Sequence, residues 1–193
     1  LREEMNLLLN RHPLRTGEVV KHLADLLPSD AIIVDEGIRS SRPLMRHFPF
    51  QQDGSYYSTS GGAIGWGLPA SLGVQLAQPN RQVVAFVGDG SAQFSVQSLW
   101  TAAKYNIPVI FVIVNNGGYL AVKAAIHSFG QNGRKRGIYP ASDITEPEVD
   151  FVSLAKGYGV KGTSVSDAGH FRAALREGLN MNEPFLIDVR VDE

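Results

Sequence analysis

Short apolar runs alternate along the chain with segments in which apolar residues recur every three or four positions. The runs are rich in Val, Ile and Phe and cover residues 31–35, 82–88, 108–115, 160–165 and 185–191. Most of their positions are apolar, so both faces of each predicted strand are apolar together. This pattern is typical of strands in a parallel sheet, because helices cover both faces of such a sheet.

The segments between these runs have the periodicity of amphipathic helices. They are 16–27, which ends before Pro28, 67–79, a stretch with Leu99, Ala102 and Ala103, and the later segments 150–159 and 167–180. Strands that alternate with helices predict βαβ crossovers. We therefore expect an α/β fold, with a doubly wound, mainly parallel sheet and helices on both faces.

The composition is that of an ordinary globular domain and excludes several classes of function. Of the 193 residues, 44% are apolar and 19% are charged, and the net charge is −1, so neither nucleic acid nor an anionic membrane is an expected partner. The absence of cysteine excludes disulfides, thiolate metal sites and a cysteine nucleophile. The apolar runs are too short to cross a membrane and the start lacks the layout of a signal peptide, so we expect a cytoplasmic protein.

The whole chain, 1–193, is expected to form one domain of a longer enzyme. It does not begin with Met, and residues 1–14 resemble the end of a linker that enters the helix at 16–27. The segment 129–148 is the only long irregular stretch, and it is either an active-site cover or an exposed loop. Its basic run Arg134-Lys135-Arg136 is too short to indicate a nucleic-acid site.

An acid between two glycines stands where the second predicted strand ends, in the sequence Gly88-Asp89-Gly90-Ser91. A dinucleotide-binding fingerprint does not fit, because Gln93 occupies the place of its third glycine, and no P-loop sequence is present. Two interpretations remain. Asp89 is either a partial cap of a tight strand–helix turn, or a ligand of a divalent cation that bridges the carboxylate to a phosphate group.

A second oxygen donor at the end of the next strand favours the cation. The run 108–115 ends in Asn115-Asn116, and Asn116 follows Asp89 by 27 residues, an interval that accommodates one crossover. Because the carboxyl ends of parallel strands meet at one edge of a sheet, both side chains are expected there. Mg²⁺ prefers about six oxygen ligands and usually takes few of them from protein, so this pair suits it.

The stretch that joins these two motifs resembles thiamine diphosphate-dependent enzymes, in which a GDG is followed one crossover later by NN. The sequence "GDGSAQFSVQSLWTAAKYNIPVIFVIVNNGGYLAVK" is most similar to the benzoylformate decarboxylases within the acetolactate synthase group. The stretches "SGGAIGWGLPASLGVQLAQPNRQVVAFVGDGS", "DFVSLAKGYGV" and "PFLIDVRVD" are similar to other parts of the same pyrophosphate-binding domain. The resemblance covers nearly the whole chain and implies the thiamine diphosphate-binding fold.

The resemblance implies a role for each residue of these motifs. Mg²⁺ is expected to be held by the Asp89 carboxylate, the Asn116 side-chain oxygen and the main-chain carbonyl of Gly118. Contacts with thiamine diphosphate are expected from Gly37, Ile38, Arg39, Gly62, Ile64, Gly88, Gly90, Ser91, Tyr119 and Leu120. Relatives often carry Thr at position 118 and Gly at position 120. Arg39 is otherwise interpreted as a solvated surface arginine.

Two of these residues are expected to act on the shape and protonation of the cofactor. By resemblance, the Gly62 carbonyl accepts a hydrogen bond from the cofactor's amino group, and Ile64 supports the bent conformation that brings this amine near the thiazolium ring. The alternative for Ile64 is a core residue in a Gly-rich turn. Ala121 and Ala125 occupy substrate-pocket positions, where small side chains leave room for a bulky acyl group. His127 is expected to follow the helix that starts at the metal site, and it is assigned no role.

The activity implied by the resemblance is decarboxylation of a 2-oxoacid by a complete enzyme. In this family a glutamate on a separate pyrimidine-binding domain activates the cofactor, and the pattern of that domain is absent from these residues. Glu36 is the only acid near an anchoring loop, and it lies on the wrong domain for that role. We therefore expect the chain to be inactive without the pyrimidine-binding domain of the same or a partner subunit.

The complete enzyme is expected to be a homodimer or homotetramer, because the active sites of this family form between subunits. Three alternatives remain for the function. They are an acetolactate synthase-like carboligase, the small subunit of a two-chain decarboxylase, and a non-catalytic module that retains the cofactor-binding fold.

Overall fold

The computed structural model describes residues 13–129, 137, 139 and 141–192. Residues 1–12 of the predicted linker and the basic run Arg134-Lys135-Arg136 lie outside the described residues. In chain order the described elements are α1 (Thr16–Leu26), β1 (Ile32–Glu36), α2 (Ser41–His47), β2 (Tyr56–Ser58), α3 (Gly67–Ala77), β3 (Val83–Gly88), α4 (Asp89–Ala92), α5 (Ser98–Tyr105), β4 (Ile110–Asn115), α6 (Leu120–Phe129), α7 (Phe151–Gly157), β5 (Lys161–Val165), α8 (Ala168–Asn180) and β6 (Phe185–Arg190).

The six strands form one sheet in the order β2-β1-β3-β4-β6-β5, and every neighbouring pair is parallel. The predicted α/β fold with a parallel sheet is therefore confirmed. All five apolar runs are strands, and their ends lie within three residues of the predicted ones. The five helical segments read from the sequence are helices as well.

Two elements were not predicted from the sequence. Strand β2 has three half-buried or exposed residues at the edge of the sheet, so it lacks an apolar run. Helix α2 buries only Leu44 among its seven residues, so it lacks an apolar stripe. The helix that begins at Asp89 has only four residues, and α5 begins separately at Ser98.

Alternate residues of each strand pack into two separate cores, one on each face of the sheet. On one face Phe86 and Val112 belong to a cluster with residues of α1, α2 and α8. On the other face Ala85 and Phe111 belong to a cluster with residues of α3, α5 and α7. Full burial of a large apolar side chain contributes roughly 1.5–3 kcal/mol, so this double core fixes the register of the strands.

The N-terminal end of the described chain is attached to the sheet. Leu14, which the sequence analysis placed in the linker, is fully buried and forms a parallel bridge with Val191. Its N–H donates to the Ser166 carbonyl at 3.2 Å. Leu14 therefore belongs to the core. Within the described ranges, no helix combines the length and the apolar character needed to cross a membrane.

The sheet topology places a crevice at the carboxyl ends of its central strands. After β1 the chain continues to β2 on one side, whereas β3 and β4 lie on the other side of β1. A change of direction of this kind separates the loops that leave neighbouring strands, and ligands of open α/β sheets bind there. The loops after β1, β3 and β4 carry most of the predicted site residues.

Candidate functional site

A cleft with a volume of about 110 Å³ opens at the carboxyl ends of β1, β3 and β4. Its walls are formed by the three loops and by the first turn of α6. The residues that line it are Gly37, Ile38, Arg39, Ile64, Gly88, Asp89, Gly90, Ser91, Asn116, Gly118, Tyr119, Leu120, Ala121 and Val122. All but one of them were named from the sequence as site residues. The exception is Val122, which follows Ala121 on α6.

Asp89 and Asn116 lie on either side of one backbone amide. The Gly118 N–H donates to Asp89 Oδ2 at 3.1 Å and to Asn116 Oδ1 at 3.1 Å. The two oxygens are therefore no further apart than twice this distance, and they face the same rim of the sheet. The Gly118 carbonyl accepts from the Leu120 N–H at 3.0 Å and retains a second lone pair.

The carboxyl group of Asp89 is buried without a cationic partner among its described contacts. Its residue is only 2% exposed. Burial raises the pKa of Asp89 to about 6, and backbone N–H groups of residues 89, 90, 117 and 118 oppose this shift because they stabilise the carboxylate. Among the described residues, no group of three or more His, Asp or Glu side chains is placed so that it could hold a metal ion. A metal ion here therefore needs amide and carbonyl oxygens besides this one carboxylate.

Glycines allow the backbone of the cleft to take its shape at two points. Gly117 has φ +71°, in the left-handed region, and this turn directs the following N–H toward Asp89. A Cβ built on Gly90 would lie 2.5 Å from Cε1 of Tyr119, so the ring of Tyr119 covers this glycine directly. Both positions require glycine for a physical reason.

The described part of segment 129–148 packs against the loop after β4. The Ser142 carbonyl accepts from the Tyr119 N–H at 2.8 Å, and the Ile144 N–H donates to the Gly117 carbonyl at 2.8 Å. Ser142 itself is fully buried. Residues 141–145 are therefore part of the wall behind the cleft, which neither interpretation of this segment from the sequence stated.

The loop after β1 is shaped by Asp35. This buried carboxylate accepts hydrogen bonds from the Gly37 N–H, the Ser41 hydroxyl and the Tyr56 hydroxyl, each at 2.8 Å. Within the loop, Ile38 has φ +56°, which is rare for a β-branched residue. Arg39 is exposed and lines the cleft, so its guanidinium is available to a ligand.

The glycine-rich segment before α3 contributes Ile64 to the cleft but not Gly62. Ile64 is partly buried and lines the cleft, whereas Gly62 is exposed and lies outside its lining. Glu36 fixes this segment, because its carboxylate accepts from the Trp66 N–H at 3.1 Å and from the Gly67 N–H at 2.7 Å. Glu36 could not be assigned this role from the sequence, because its contacts with residues 30 and 31 positions later have no local sequence signal.

Both predicted substrate-pocket residues lie on helix α6, but only one of them lines the cleft. Ala121 lines the cleft, but Ala125 lies one helical turn further from the start of α6 and is not part of the lining. His127 lies within this helix rather than after it. It is exposed, and its Nδ1 is 3.3 Å from the hydroxyl of Tyr139.

The family model described as "Thiamine pyrophosphate enzyme, C-terminal TPP binding domain" matches residues 39–189. Benzoylformate decarboxylase of Pseudomonas aeruginosa is 36% identical over 179 residues, which are 92% of this chain and 32% of that protein. The acetolactate synthase large subunit of Parasynechococcus marenigrum is 33% identical, over 98% of this chain and 31% of that protein.

Solved structures show the same likeness. The thiamine diphosphate-dependent 4-hydroxybenzoylformate decarboxylase of Rhodococcus jostii RHA1 superposes with a TM-score of 0.86 at 38% identity, over 94% of this chain and 33% of that one. A benzoylformate decarboxylase from Polynucleobacter necessarius has a TM-score of 0.84 at 28% identity. The chain spans about a third of the length of the relatives it matches.

Proposed function

Because the chain belongs to the family of thiamine pyrophosphate enzyme C-terminal TPP binding domains, we propose that its cleft binds the diphosphate end of thiamine diphosphate together with one Mg²⁺ ion. The observation that carries this proposal is the convergence of Asp89 Oδ2 and Asn116 Oδ1 on the Gly118 amide. Two oxygens from different strands at one rim are the arrangement that a shared cation requires.

The donor set fits Mg²⁺ rather than a softer metal. One carboxylate, one side-chain amide oxygen and the Gly118 carbonyl are all hard oxygen ligands. They leave further coordination positions for diphosphate oxygens and water. Burial makes the charged form of Asp89 unfavourable, and this is why its pKa is raised. A bound cation would offset this desolvation cost.

The diphosphate would be held by backbone and side-chain donors around this ion. Gly90 and Ser91 follow Asp89 at the end of β3, and both line the cleft. Arg39 brings a positive charge from the loop after β1, and Tyr119 closes the side next to Gly90. Ile64 would support the cofactor by its apolar surface, since a branched side chain fills space without competing for hydrogen bonds.

We further propose that the complete protein is a lyase that decarboxylates a 2-oxoacid, as the names of its decarboxylase relatives suggest. When bound, thiamine diphosphate supplies the carbon nucleophile and the electron sink for this reaction. The residues of this chain anchor and orient it, and Ala121 leaves space for a bulky acyl group. Proton transfer to the cofactor is left to a glutamate on a pyrimidine-binding domain, in a homodimer or homotetramer.

A carboligase is the second candidate, because acetolactate synthase large subunits match the chain almost as well. The two candidates share the cofactor site and differ in the acceptor of the acyl group. Product analysis with benzoylformate and with pyruvate distinguishes them. Preferred turnover of pyruvate to a condensation product would favour the carboligase.

Calorimetric titration of the protein with thiamine diphosphate, in the presence and absence of Mg²⁺, tests the cofactor site. We expect saturable binding that requires Mg²⁺ and is abolished by Asp89→Ala. Asp53→Ala is the matched control, since Asp53 is an exposed aspartate away from the cleft. Equal binding by Asp89→Ala and the unmodified protein, or binding that ignores Mg²⁺, would contradict the proposal.

A further inference from the structure

Asp188 is a buried carboxylate that lies beside the loop after β4 without lining the cleft. Asp188 on β6 is 2% exposed. Three polar side chains contact its carboxylate. Its Oδ1 accepts from Asn115 Nδ2 at 2.9 Å, and its Oδ2 accepts from the Ser164 hydroxyl at 2.9 Å. Arg190 Nε lies 3.5 Å from the same Oδ2. Both oxygens of this carboxylate are therefore used.

Asn115 connects this carboxylate to the loop of the candidate metal site. While its Nδ2 donates to Asp188, its Oδ1 accepts from the Gly117 N–H at 3.2 Å. The opposite orientation of the amide would turn its oxygen toward a carboxylate and its NH₂ group toward an N–H donor. Asp188 thus sets the orientation in which Asn115 can hold Gly117.

The held residue is the one at which the loop turns. Gly117 has φ +71°, and the next amide, that of Gly118, donates to both Asp89 and Asn116. Hydrogen bonds therefore run from Asp188 through Asn115 to Gly117, and the peptide bond from Gly117 to Gly118 connects them to the two oxygens of the cleft.

We propose that Asp188 is a positioning residue for the candidate Mg²⁺ site, which acts through Asn115 to fix the turn at Gly117 and so the direction of the Gly118 amide. The inference rests on the proposed function for its Mg²⁺ ligand. Outer partners of this kind orient the atoms that contact a metal, and their loss typically lowers metal affinity by about 10- to 100-fold.

The surroundings of Asp188 argue against a role in packing alone. Along the same face of β4 and β6, the preceding residues Phe111, Ile113 and Leu186 are buried and apolar. A well-packed apolar side chain would continue this core without the desolvation penalty that a buried carboxylate brings. The position instead carries an acid that accepts a hydrogen bond from the Asn115 amide, two residues beyond its partner Ile113 on β4, and it pairs with Ser164 of β5.

The test compares variants of Asp188 and Asn115 in two measurements on the purified protein. The first is the affinity for Mg²⁺ in the presence of thiamine diphosphate, by calorimetry. The second is hydrogen exchange of the 115–118 segment without ligand. Asp188→Leu and Asn115→Ala should each lower the affinity for Mg²⁺ by about 10- to 100-fold. Both should also speed hydrogen exchange of the Gly117 and Gly118 amides. Because both substitutions interrupt the same series of bonds, the double variant should bind Mg²⁺ no more weakly than the single variant with the lower affinity.

Two further variants separate positioning from general stability. Asp188→Asn retains an oxygen that can accept from Asn115, so it should recover most of the affinity that Asp188→Leu loses. Ser164→Ala removes a bond to the other carboxylate oxygen, so it should lower the midpoint of unfolding and leave the loop exchange unchanged. If Asp188→Leu fails to fold, Asn115→Ala still decides the question, because the proposal has Asp188 act on the loop through this residue.

The inference is overturned if folded Asp188→Leu and Asn115→Ala bind Mg²⁺ and exchange at Gly117 as the unmodified protein does, even where their unfolding midpoints fall. If the unmodified protein binds no Mg²⁺, the proposed function fails instead. In that case the exchange measurement, which needs no ligand, still shows whether Asp188 fixes the turn.

Discussion

At the scale of single residues, the cleft depends on where a side chain is missing as much as on where one is present. Gly90 leaves room for the ring of Tyr119, and Gly117 takes a backbone conformation that other residues rarely adopt. Asp89 contributes the only carboxylate among the residues that line the cleft. Small changes at these positions therefore alter the shape and the charge of the site together.

Gly90→Ala should damage the cleft through a direct clash. The new Cβ would lie 2.5 Å from Cε1 of Tyr119, so the ring must move, and overpacking of this kind costs roughly 1–3 kcal/mol of unfolding free energy. We also expect weaker binding of thiamine diphosphate with Mg²⁺. Urea denaturation and calorimetry measure the two effects.

Gly73→Ala is the matched control for this substitution. Gly73 is in α3, and a Cβ there would have no atom within 4 Å. Replacing a glycine inside a helix by alanine typically stabilises by about 0.5–1 kcal/mol, so this variant should gain stability and keep its affinity. Destabilisation of similar size by both substitutions would show that the Tyr119 contact is not the cause.

The residues of the cleft could be predicted largely from the sequence, and their supports could not. The residues of the GDG motif are consecutive in the sequence, and so are those of the NN motif. Each motif follows an apolar run, so the predicted end of a strand gives its place in the fold. The link from Asn115 to Asp188 spans 73 positions, and that from Glu36 to Gly67 spans 31. Such pairs depend on the order of strands in the sheet and on loop paths, which periodicity does not specify.

At the scale of elements, the end of β1 organises the chain on both of its faces. Adjacent residues of a strand point to opposite faces of the sheet. Asp35 accordingly holds the start of α2 and β2, through Ser41 and Tyr56. Glu36 holds the start of α3 on the other side, and α3 is preceded by the segment that carries Ile64.

Glu36→Ala should loosen the start of α3. The substitution leaves the buried amide of Gly67 and the partly buried amide of Trp66 without their acceptor, and a buried amide without a partner costs about 1–3 kcal/mol. We expect a loss of roughly 2–5 kcal/mol of unfolding free energy, measured by urea denaturation, with lower cofactor affinity from the displaced Ile64. Glu177→Ala, at an exposed position of α8, should stay within about 0.5 kcal/mol. A Glu36 variant as stable as this control would contradict the assigned role.

The contact between α1 and α8 should make stability depend on pH. His22 of α1 is buried, and Arg172 Nη1 of α8 lies 3.3 Å from its Nδ1. Burial, and then the charge of Arg172, lower the pKa of His22 below 6.5, although Asp25 opposes this and Lys21 supports it. Between the lowered pKa and 6.5, His22 is therefore protonated more readily in the unfolded chain than in the folded chain. This contribution to stability is complete above pH 6.5 and is lost as the pH falls from 6.5 toward the lowered pKa.

Thermal unfolding between pH 5 and 8 measures this effect as the difference between the unmodified protein and His22→Gln. The unfolding midpoint of the unmodified protein, relative to that of His22→Gln, should be lower at pH 5 than at pH 8, because Gln does not titrate. His47→Gln removes an exposed imidazole and serves as the control. Parallel pH profiles for the unmodified protein and His22→Gln would exclude this role for His22.

The elements themselves illustrate what an apolar pattern can and cannot predict. Strands buried on both faces and helices with one buried stripe follow from periodicity. Strand β2 is held by backbone pairing with β1 and by the Tyr56 hydroxyl on Asp35 rather than by an apolar run. Helix α2 follows directly from the turn that Asp35 shapes. Both depend on a buried acid, and a buried acid in a strand has no distinctive pattern.

At the scale of the whole molecule, the cleft is small for the ligand that the family binds. Pockets for small organic ligands generally measure about 300–1,000 Å³, whereas this cleft has about 110 Å³. The lining includes the predicted anchors for a metal and a diphosphate, but not Gly62, which is expected to contact the aminopyrimidine. We therefore expect the other end of the cofactor to be enclosed by residues outside the described part of the chain.

This division of the site leads to a prediction about activity. We expect the 193-residue chain alone to bind thiamine diphosphate and Mg²⁺ weakly and to release no CO₂ from benzoylformate or pyruvate above a control with cofactor only. Its residues are proposed to anchor the diphosphate, but Asp89 is the only acid among the described residues that line the cleft. Since Asp89 is assigned to the metal, no acid of the cleft is left for proton transfer. Addition of a pyrimidine-binding domain that carries the family's glutamate should raise both affinity and CO₂ release. The gain should vanish with Asp89→Ala, because the anchored end and the reacting end belong to one ligand. Robust CO₂ release by the chain alone would instead show that a proton-transfer group lies within it.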